Sequence, residues 1–389
     1  RTGAGLDPCA AVQTQLELAD GQEREVVFVV GAADSRAEAQ QFVQRLAGPA
    51  AARQALEAVW AHWNRALGAV HLETPDEALN VLSNGWLVYQ TLSCRFWGRS
   101  GYYQSGGAYG FRDQLQDTLA LLHTTPWIAR EHLLLCAEHQ FREGDVQHWW
   151  HPPEGQGVRT HSSDDYLWLP YVTCRYVSST GDTGVLDEPV AFLEGRALGP
   201  DEEAYYDLPQ RSTDVASLYE HCVRSIKHGL RFGRHGLPLM GTGDWNDGMN
   251  RVGHEGRGES VWLGWFLCAL VADFAPIAHE RGETVRAGRW DDAARGWQAA
   301  LRGPAWDGAW FRRAFFDDGS PLGSQANAEA RIDLIAQAWG VLSGVASWPQ
   351  QVVAMAAVEA QLVDVQAGLV RLIDPPLAQA QPSAGYIQA

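Results

Sequence analysis

Apolar residues recur every three or four positions along most of the chain after residue 72, a spacing that places them on one face of a helix. Thr74-Pro75 and Thr125-Pro126 predict helix starts, because threonine caps a helix and proline fits its first turn. Further helices are predicted over residues 164–177, 217–230, 260–278, 285–301, 331–342 and 349–363. No repeat of fixed period accompanies them. We therefore predict a mainly α fold, in which successive helical hairpins form an α/α barrel with functional loops at one end.

The pattern before residue 72 is different. Residues 12–18 and 24–30 are strand-like, and Asp20-Gly21 between them predicts a hairpin turn. A hairpin is marginally stable by itself, so we expect it to close a sheet whose other strands are absent from this sequence. Residues 35–66 predict polar helices that connect this part to the barrel. The last fifteen residues, PPLAQAQPSAGYIQA, have the composition of a loop, so we expect an open, incomplete barrel.

Composition narrows the possible functions. A net charge of -17 lacks the basic face that nucleic-acid binding requires. No run of about 18 apolar residues is evident, so we expect no membrane segment and a cytoplasmic protein. The six cysteines form no CxxC pair, and the spacings of His148, His151 and His161 fit no compact ligand motif, which argues against a metal site. The 17 tryptophans fill cores, but they also suit a sugar-binding protein, since indoles form flat surfaces for sugar rings.

Residues 98–117, GRSGYYQSGGAYGFRDQLQD, combine glycines and aromatic residues with Arg112 and Asp113. Glycine lets the backbone approach a ligand closely, and an arginine beside a carboxylate can orient sugar hydroxyls. The alternative is structural: Asp113 favours the positive end of a helix dipole, and Arg112 pairs locally.

Residues 145–168 are predicted to form a second functional loop. Trp149 and Trp150 together with Asp164 and Asp165 favour a sugar-binding cleft. The alternative is that Asp164 or Asp165 simply caps the next helix.

The third loop is GTGDWNDGMN, residues 241–250, with Asp244 and Asp247 on either side of Trp245. An acid that protonates a glycosidic oxygen needs a raised pKa, which aromatic packing and a second carboxylate supply. Asp247 fits this role, and Asp244 either holds the loop or binds sugar. An inverting hydrolase needs a base about 6.5–9.5 Å away, for which Asp244 is poorly placed. A phosphate nucleophile needs no such base. A calcium loop is disfavoured, because the acidic ladder and terminal Glu of an EF-hand are missing.

Several stretches resemble the glycoside hydrolase family 94 phosphorylases: YQSGGAYGFRDQLQD, DVQHWWHPP, SDDYLWLPY, GTGDWNDGMNRVG, EGRGESVWLGWF and RIDLIAQAW. The resemblance covers essentially the whole chain. It looks strongest to the β-1,2-oligoglucan phosphorylases and to the C-terminal part of cyclic β-1,2-glucan synthases. The family architecture implies the end of an N-terminal β-sandwich domain over residues 1–34 and a helical linker over 35–72. Residues 73–389 then form an (α/α)6 barrel catalytic domain that is truncated at its C-terminus.

The resemblance also implies an activity and its residues. Family members cleave β-glucosides with inorganic phosphate and inversion, giving α-glucose 1-phosphate, so phosphate is a co-substrate and no cofactor is needed. By the family pattern Asp247 is the general acid, and Trp245 and Asp113, beside Arg112, line the subsite for the sugar that receives phosphate. Arg99 matches a phosphate-binding arginine. The expected partners are a β-glucan oligosaccharide and phosphate, and a homodimer is possible.

Two departures from the family pattern matter. The loop before FRD lacks the extra arginine of cellobiose phosphorylases, which favours the β-1,2 branch over cellobiose. The sequence stops at Ala389, before the segment that carries the family's phosphate-binding histidine, so we expect this fragment alone to be inactive or poorly folded.

Three functions are therefore consistent with the sequence. The first is an inverting β-1,2-glucan phosphorylase. The second is the same fold as a chain-length-controlling domain of a cyclic glucan synthase, tethered to the inner membrane. The third is a catalytically silent carbohydrate-binding fragment.

Overall fold

The computed structural model describes residues 9–98, 106–199 and 202–388. The chain divides into two compact units, Arg1–His71 and Leu72–Ala389. In the first unit the turn predicted at Asp20-Gly21 is present, closed by a 3.0 Å hydrogen bond from Gln22 N to Ala19 O. Residues 9–34 form no strand, so the predicted hairpin strands are not found there. Two helices follow, α1 (Arg36–Arg45) and α2 (Pro49–Leu67).

The second unit is mainly helical, as predicted. Its helices are α3 (Glu77–Val81), α4 (Leu87–Gln90), α5 (Phe111–Leu119), α6 (Pro126–Ala137), α7 (Asp165–Thr180), α8 (Leu218–Gly229), α9 (Val261–Glu280), α10 (Thr284–Arg302), α11 (Leu334–Leu342) and α12 (Trp348–Gln361). Short π-helical segments, Leu82–Trp86 and Thr91–Trp97, precede and follow α4.

Of the two predicted helix starts, one is correct and one is displaced. Helix α6 begins with Thr125 at its N-cap and Pro126 in its first turn. Helix α3 begins at Glu77 rather than after Thr74, because the Asp76 carboxylate accepts hydrogen bonds from the free N–H groups of Ala78 and Leu79. Asp76 is therefore the cap.

The helices pack in two layers. Helices α5, α7, α9 and α11 contact one another in that order, and α6, α8, α10 and α12 each lie beside the helix that precedes them. This alternation is the arrangement expected of serial helical hairpins.

An aromatic cluster joins three of the inner helices. Phe266 of α9 is fully buried. Its ring lies 4.6 Å from Trp168 and 5.1 Å from Tyr171, both on α7, measured between centroids. On the other side, Trp339 of α11 meets Phe266 edge-on at 5.2 Å. Because one ring contacts two neighbouring helices, the packing of the inner layer depends on it.

Short strands cluster around the starts of helices. The strands are β1 (Tyr109–Gly110), β2 (Gln147–His151), β3 (Gln156–Thr160), β4 (Pro189–Glu194), β5 (Ala204–Asp207), β6 (Gln210–Ser217), β7 (Glu259–Ser260), β8 (Ala314–Phe315), β9 (Pro321–Leu322), β10 (Ile332–Asp333), β11 (Val363–Asp364), β12 (Leu369–Val370) and β13 (Ile373–Asp374). They form an antiparallel sheet of order β1-β2-β3-β5, a sheet β7-β8-β9, and the pairs β4-β6, β10-β13 and β11-β12. Strands β1, β7 and β10 run directly into the inner helices α5, α9 and α11, so this end of the layer is built by strand-to-helix junctions.

Two predictions made from the sequence are corrected. Residues 145–168 were predicted to be a loop, but strands β2 and β3 form a hairpin there. No long apolar run was expected, but α9 is long and apolar enough to cross a membrane by length and composition, with a mean hydropathy of 1.8 over 18 residues. Within this fold 72% of that stretch is buried, as in the core helix of a globular domain.

We expect Phe266→Ala to lower the free energy of unfolding by about 3–5 kcal/mol, because it leaves a cavity between three helices that cannot collapse fully. Denaturant unfolding of the full-length protein, followed by tryptophan fluorescence, measures this loss. Val285→Ala on α10, at a side chain that is 70% exposed, is the control and should change stability by no more than about 0.5 kcal/mol. A loss below about 1 kcal/mol at Phe266 would show that the cluster does not hold the layer together.

Candidate active site

The glycine-rich loop 241–250 is fastened to the segment that precedes α7. Thr242 N donates to His161 O, and both the N–H and the hydroxyl of Ser163 donate to Gly243 O, at 2.9 and 3.0 Å. A Cβ at Gly241 would lie 2.1 Å from His161 O, and the residue has φ +62°, so only glycine fits here. The glycines therefore let the loop lie directly against the start of α7.

The first carboxylate of this loop, Asp244, is a buried structural group. Arg313 donates to both of its oxygens, at 2.5 and 2.6 Å, and the Ser260 hydroxyl donates a third bond at 2.6 Å. Burial by itself raises the pKa of Asp244, but the Arg313 guanidinium more than offsets this, so the pKa lies below its ordinary value. Asp244 is fully buried and thus holds the loop; it is not positioned to bind sugar.

Arg313 extends this contact to another helix. Its Nε lies 3.4 Å from Asp333 Oδ2, and Asp333 caps α11 while Ser260 caps α9. Burial raises the pKa of Asp333 to about 6. One buried guanidinium therefore joins the loop to the N-termini of two inner helices.

A second buried guanidinium, that of Arg112 at the start of α5, reaches Asp247. Its Nη2 donates to both Asp247 oxygens at 3.0 and 2.8 Å. Its Nη1 donates to Asp164, at 3.3 Å, and to Asp244 O at 3.1 Å. Asp165 lies 3.9 Å away. The local pairing considered for Arg112 is thus wrong, because its partners lie 52 to 135 positions away in sequence.

Asp164 and Asp165 lie at the start of α7, and neither matches the roles considered for them. Asp164 occupies the N-cap position, but its side chain makes no capping hydrogen bond; it accepts instead from Trp168 Nε1 at 3.0 Å. Both carboxylates are buried, as is Trp150, which stacks on His139. Burial raises the pKa of Asp164. Asp164, Asp165 and Trp150 therefore do not line an open cleft, whereas Trp149 is half-buried.

His148 also faces Asp247. It is the additional residue of a β-bulge in β2, because Gln147 and Trp149 pair with the adjacent residues Arg159 and Val158. Its Nδ1 lies 2.6 Å from Asp165 Oδ2 and its Nε2 lies 3.9 Å from Asp247 Oδ2. Burial lowers the pKa of His148, but Asp165 more than offsets this effect and raises the pKa to about 9. The imidazole is therefore cationic at neutral pH.

Asp247 is the carboxylate of this cluster that solvent can reach. Its side chain is 54% exposed, compared with 0% for Asp164 and 3% for Asp165. Desolvation of the carboxyl raises its pKa, while the Arg112 and His148 charges oppose that rise. The loop thus exposes one titratable acid, Asp247, to solvent. The cations Arg112 and His148 lie 2.8 and 3.9 Å from its carboxylate.

The other residues singled out from the sequence have the following positions. Asp113 lies in the first turn of α5, next to Arg112, with a side chain that is 40% exposed and 3.9 Å from Arg95. Trp245 is half-buried and packs on the main core. Arg99 lies outside the described residues. The sugar- and phosphate-binding roles of these residues stay predictions.

Sequence reasoning missed Arg313 and His148 as cations that face the two loop acids, and it missed the capping groups Ser260 and Asp333. Arg313, Ser260 and Asp333 were not singled out, since each is an ordinary residue within a predicted helix or loop. His148 was considered only as a metal ligand, and its spacing from the other histidines argued against that role. The available signal was weak: a polar residue immediately before a long apolar helix, as at Ser260 and Asp333, predicts a helix cap.

Comparison with known proteins identifies the family. Residues 62–389 match the catalytic domain of the glycosyl hydrolase 94 superfamily, and residues 1–49 match the glycosyl hydrolase 94 supersandwich domain. The chain therefore belongs to this family.

Three relatives bear on its function. A cyclic beta-(1,2)-glucan synthase, NdvB of Rhizobium meliloti, is 45% identical over 98% of this chain and 14% of its own length. The 3-O-beta-D-glucopyranosyl-beta-D-glucuronide phosphorylase of Paenibacillus borealis is 30% identical over 98% of this chain and 47% of its own. A 1,2-beta-oligoglucan phosphorylase of Listeria innocua is 26% identical over 55% of this chain and 20% of its own. The chain spans less than half the length of each.

We expect Asp244→Asn to lower the free energy of unfolding by about 3–5 kcal/mol, because it leaves the buried Arg313 charge without its bidentate partner. The same substitution three residues later, Asp247→Asn, is the matched control; at a half-exposed carboxylate it should cost no more than about 1 kcal/mol. Urea denaturation of the full-length protein measures both. Equal losses at the two positions would contradict the structural role of Asp244.

The His148 charge should make stability depend on pH in a defined window. Its folded pKa of about 9 exceeds the ordinary 6.5, so its stabilising contribution is complete below about pH 6.5 and lost as pH rises through about 9. The difference in unfolding free energy between the full-length protein and its His148→Gln variant should therefore shrink across that window. His151→Gln, three residues along the same strand, is the control. A difference that is constant from pH 6 to 10 would show that His148 is neutral.

Proposed function

We propose that this chain carries the general acid of an inverting phosphorolysis, in which inorganic phosphate cleaves a β-glucosidic bond to give α-glucose 1-phosphate. The observation that carries the proposal is the half-exposed Asp247 carboxylate, set against two cations in a cluster whose other acids are buried. Such an arrangement suits one proton donor facing a cleft.

The neighbouring acids favour phosphate over water as the nucleophile. A hydrolase of this type needs a second carboxylate that holds a water molecule, about 6.5–9.5 Å from the acid. Asp164 and Asp165 are buried against Arg112 and His148, and Asp244 is buried against Arg313. None of these three is able to hold a water at the sugar. Phosphate is itself a nucleophile, so the reaction proceeds without such a base.

In the proposed step, a phosphate oxygen attacks the anomeric carbon from the face opposite the leaving group, and the glycosidic C–O bond breaks. The leaving oxygen takes the proton of Asp247. The carboxylate that forms lies within hydrogen-bond distance of Arg112, so its charge is stabilised as it develops. Trp245 and Asp113 bind the glucosyl ring, and Arg99 binds phosphate.

The linkage and the complete fold are also proposed. A β-1,2-linked glucooligosaccharide is the substrate supported best, because two relatives, the synthase and the 1,2-beta-oligoglucan phosphorylase, are named for β-1,2-glucans. The two-layer packing of α5 to α12 supports an (α/α)6 barrel. The family match at residues 1–49 supports the end of a β-sandwich domain near the N-terminus, followed by a helical linker.

A second function is favoured by one observation, the 45% identity to the cyclic β-1,2-glucan synthase over nearly the whole chain. In this alternative the domain uses the same cleavage, or its reverse, to set the length of a glucan made elsewhere in a larger, membrane-associated protein. Altered glucan lengths in an Asp247→Asn strain, with synthesis itself intact, would favour this function over free phosphorolysis.

We expect the full-length protein to release α-glucose 1-phosphate from β-1,2-glucooligosaccharides only when phosphate is present, and not from cellobiose. Asp247→Asn should lower kcat/KM by about 10²–10⁴-fold, because a general acid contributes that much, while oligosaccharide binding persists. A coupled assay for glucose 1-phosphate measures release, and calorimetry measures binding.

Asp187→Asn, at an exposed surface acid paired with Arg281, is the control and should leave the rate unchanged. Phosphate-independent release of glucose would instead identify a hydrolase. Full activity in Asp247→Asn would remove the assignment of the acid.

A further inference from the structure

His148 and Asp165 form a pair that the proposed proton transfer from Asp247 does not by itself require. Asp165 lies at the start of α7, and His148 lies at a bulge in β2, 17 positions earlier in sequence. A bulge re-aims one side chain of a strand, and here it directs the imidazole between two carboxylates.

The geometry gives each imidazole nitrogen a different partner. Nδ1 is 2.6 Å from Asp165 Oδ2, within hydrogen-bond distance, so Asp165 fixes the orientation of the ring. Nε2 is 3.9 Å from Asp247 Oδ2, beyond a hydrogen bond but within strong electrostatic range. The side chain of His148 is only 20% exposed, so solvent screens this interaction weakly.

From this arrangement we propose that His148, held by Asp165, is a positioning residue that controls the protonation of Asp247. The inference rests on the proposed function of Asp247 as the acid. His148 contacts no bond that breaks; it acts by stabilising the Asp247 carboxylate that proton transfer creates. In the reverse direction the same charge keeps Asp247 ionised and able to accept a proton from the attacking sugar hydroxyl.

Among the residues that the structure describes, Arg112, Asp164 and Asp165 are the charged groups that face the pair, and they fit this role. Arg112, from α5, contacts Asp247 and lies near Asp165, so it repels His148 while it also stabilises the Asp247 carboxylate. Asp164 and Asp165, from α7, keep the local charge balanced around the two cations. The raised pKa of His148, about 9, keeps it cationic over the pH range in which an acid catalyst works. Arg112 is thus a permanent charge and His148 a titratable one.

The inference predicts a shift in the titration of Asp247. Removing the His148 cation by His148→Gln destabilises the Asp247 carboxylate, so the pKa of Asp247 should rise by about one unit. The infrared carboxyl band that is lost in Asp247→Asn reports this pKa in the full-length protein without any turnover. This readout therefore stands even when the protein shows no phosphorolysis, which separates failure of the inference from failure of the proposed function.

Kinetics supply the second readout. The alkaline limb of kcat/KM for phosphorolysis should move to higher pH in His148→Gln, because Asp247 holds its proton longer. If His148→Gln only disturbed the local structure, kcat/KM would fall at every pH and the pH midpoint of its alkaline limb would stay unchanged. His148→Lys, which keeps a cation, should return both the limb and the infrared pKa toward the original values.

His151→Gln is the matched control. His151 lies on the same strand but contacts the Tyr206 hydroxyl at 3.1 Å instead of the acid cluster, so neither readout should move. An unchanged infrared pKa of Asp247 in His148→Gln, in a protein with native circular dichroism, would overturn the inference. If His148→Gln does not fold, the same titration of His148→Asn and His148→Lys decides, since the neutral and cationic variants must differ.

Discussion

Two buried guanidinium groups organise this protein's candidate site. Arg112 lies in the first turn of α5. Its guanidinium contacts Asp164 at the start of α7 and Asp247 in the glycine-rich loop. Arg313 reaches Asp244 in the same loop and Asp333 at the start of α11. Burying a guanidinium is unfavourable unless its donors find acceptors, so each arginine requires its carboxylates at fixed positions. Because Asp247 pairs with Arg112 and Asp244 pairs with Arg313, the two arginines together fix the position of the loop.

The N-terminus of a helix is a suitable place for side chains that also bind a buried guanidinium. Its first N–H groups lack partners within the helix, so short polar side chains are placed there to accept from them. Ser260 and Asp333 perform this role for α9 and α11 and also contact Arg313. The same groups therefore satisfy the helix ends and the buried charge. This double use explains how two inner helices and one loop converge with few residues.

Within the cluster, exposure separates the structural acids from the proposed general acid. Asp244 is fully buried, and its pKa is lowered by Arg313, so it stays ionised and fixed. Asp247, three residues later, is half-exposed and has a raised pKa because its surroundings desolvate the carboxyl. Two acids in one short loop thus take different roles, and the difference arises from their neighbours.

The sequence by itself determined the helical class and most helix positions, because apolar periodicity, glycines and local motifs are properties of neighbouring residues. It also carried the resemblance that the family match confirmed. It misplaced the first cap, assigned a loop to the β2–β3 hairpin, and treated Asp164 and Asp165 as cleft or cap residues. For His148 it offered only a role as a metal ligand, which was rejected. Only the tertiary structure decided that these residues and Arg313 surround Asp247 and Asp244. The contacts that Ser260, Arg112 and His148 make with the two loop acids span 16 to 135 positions. The pKa of each group depends on which charges the fold brings within a few ångströms.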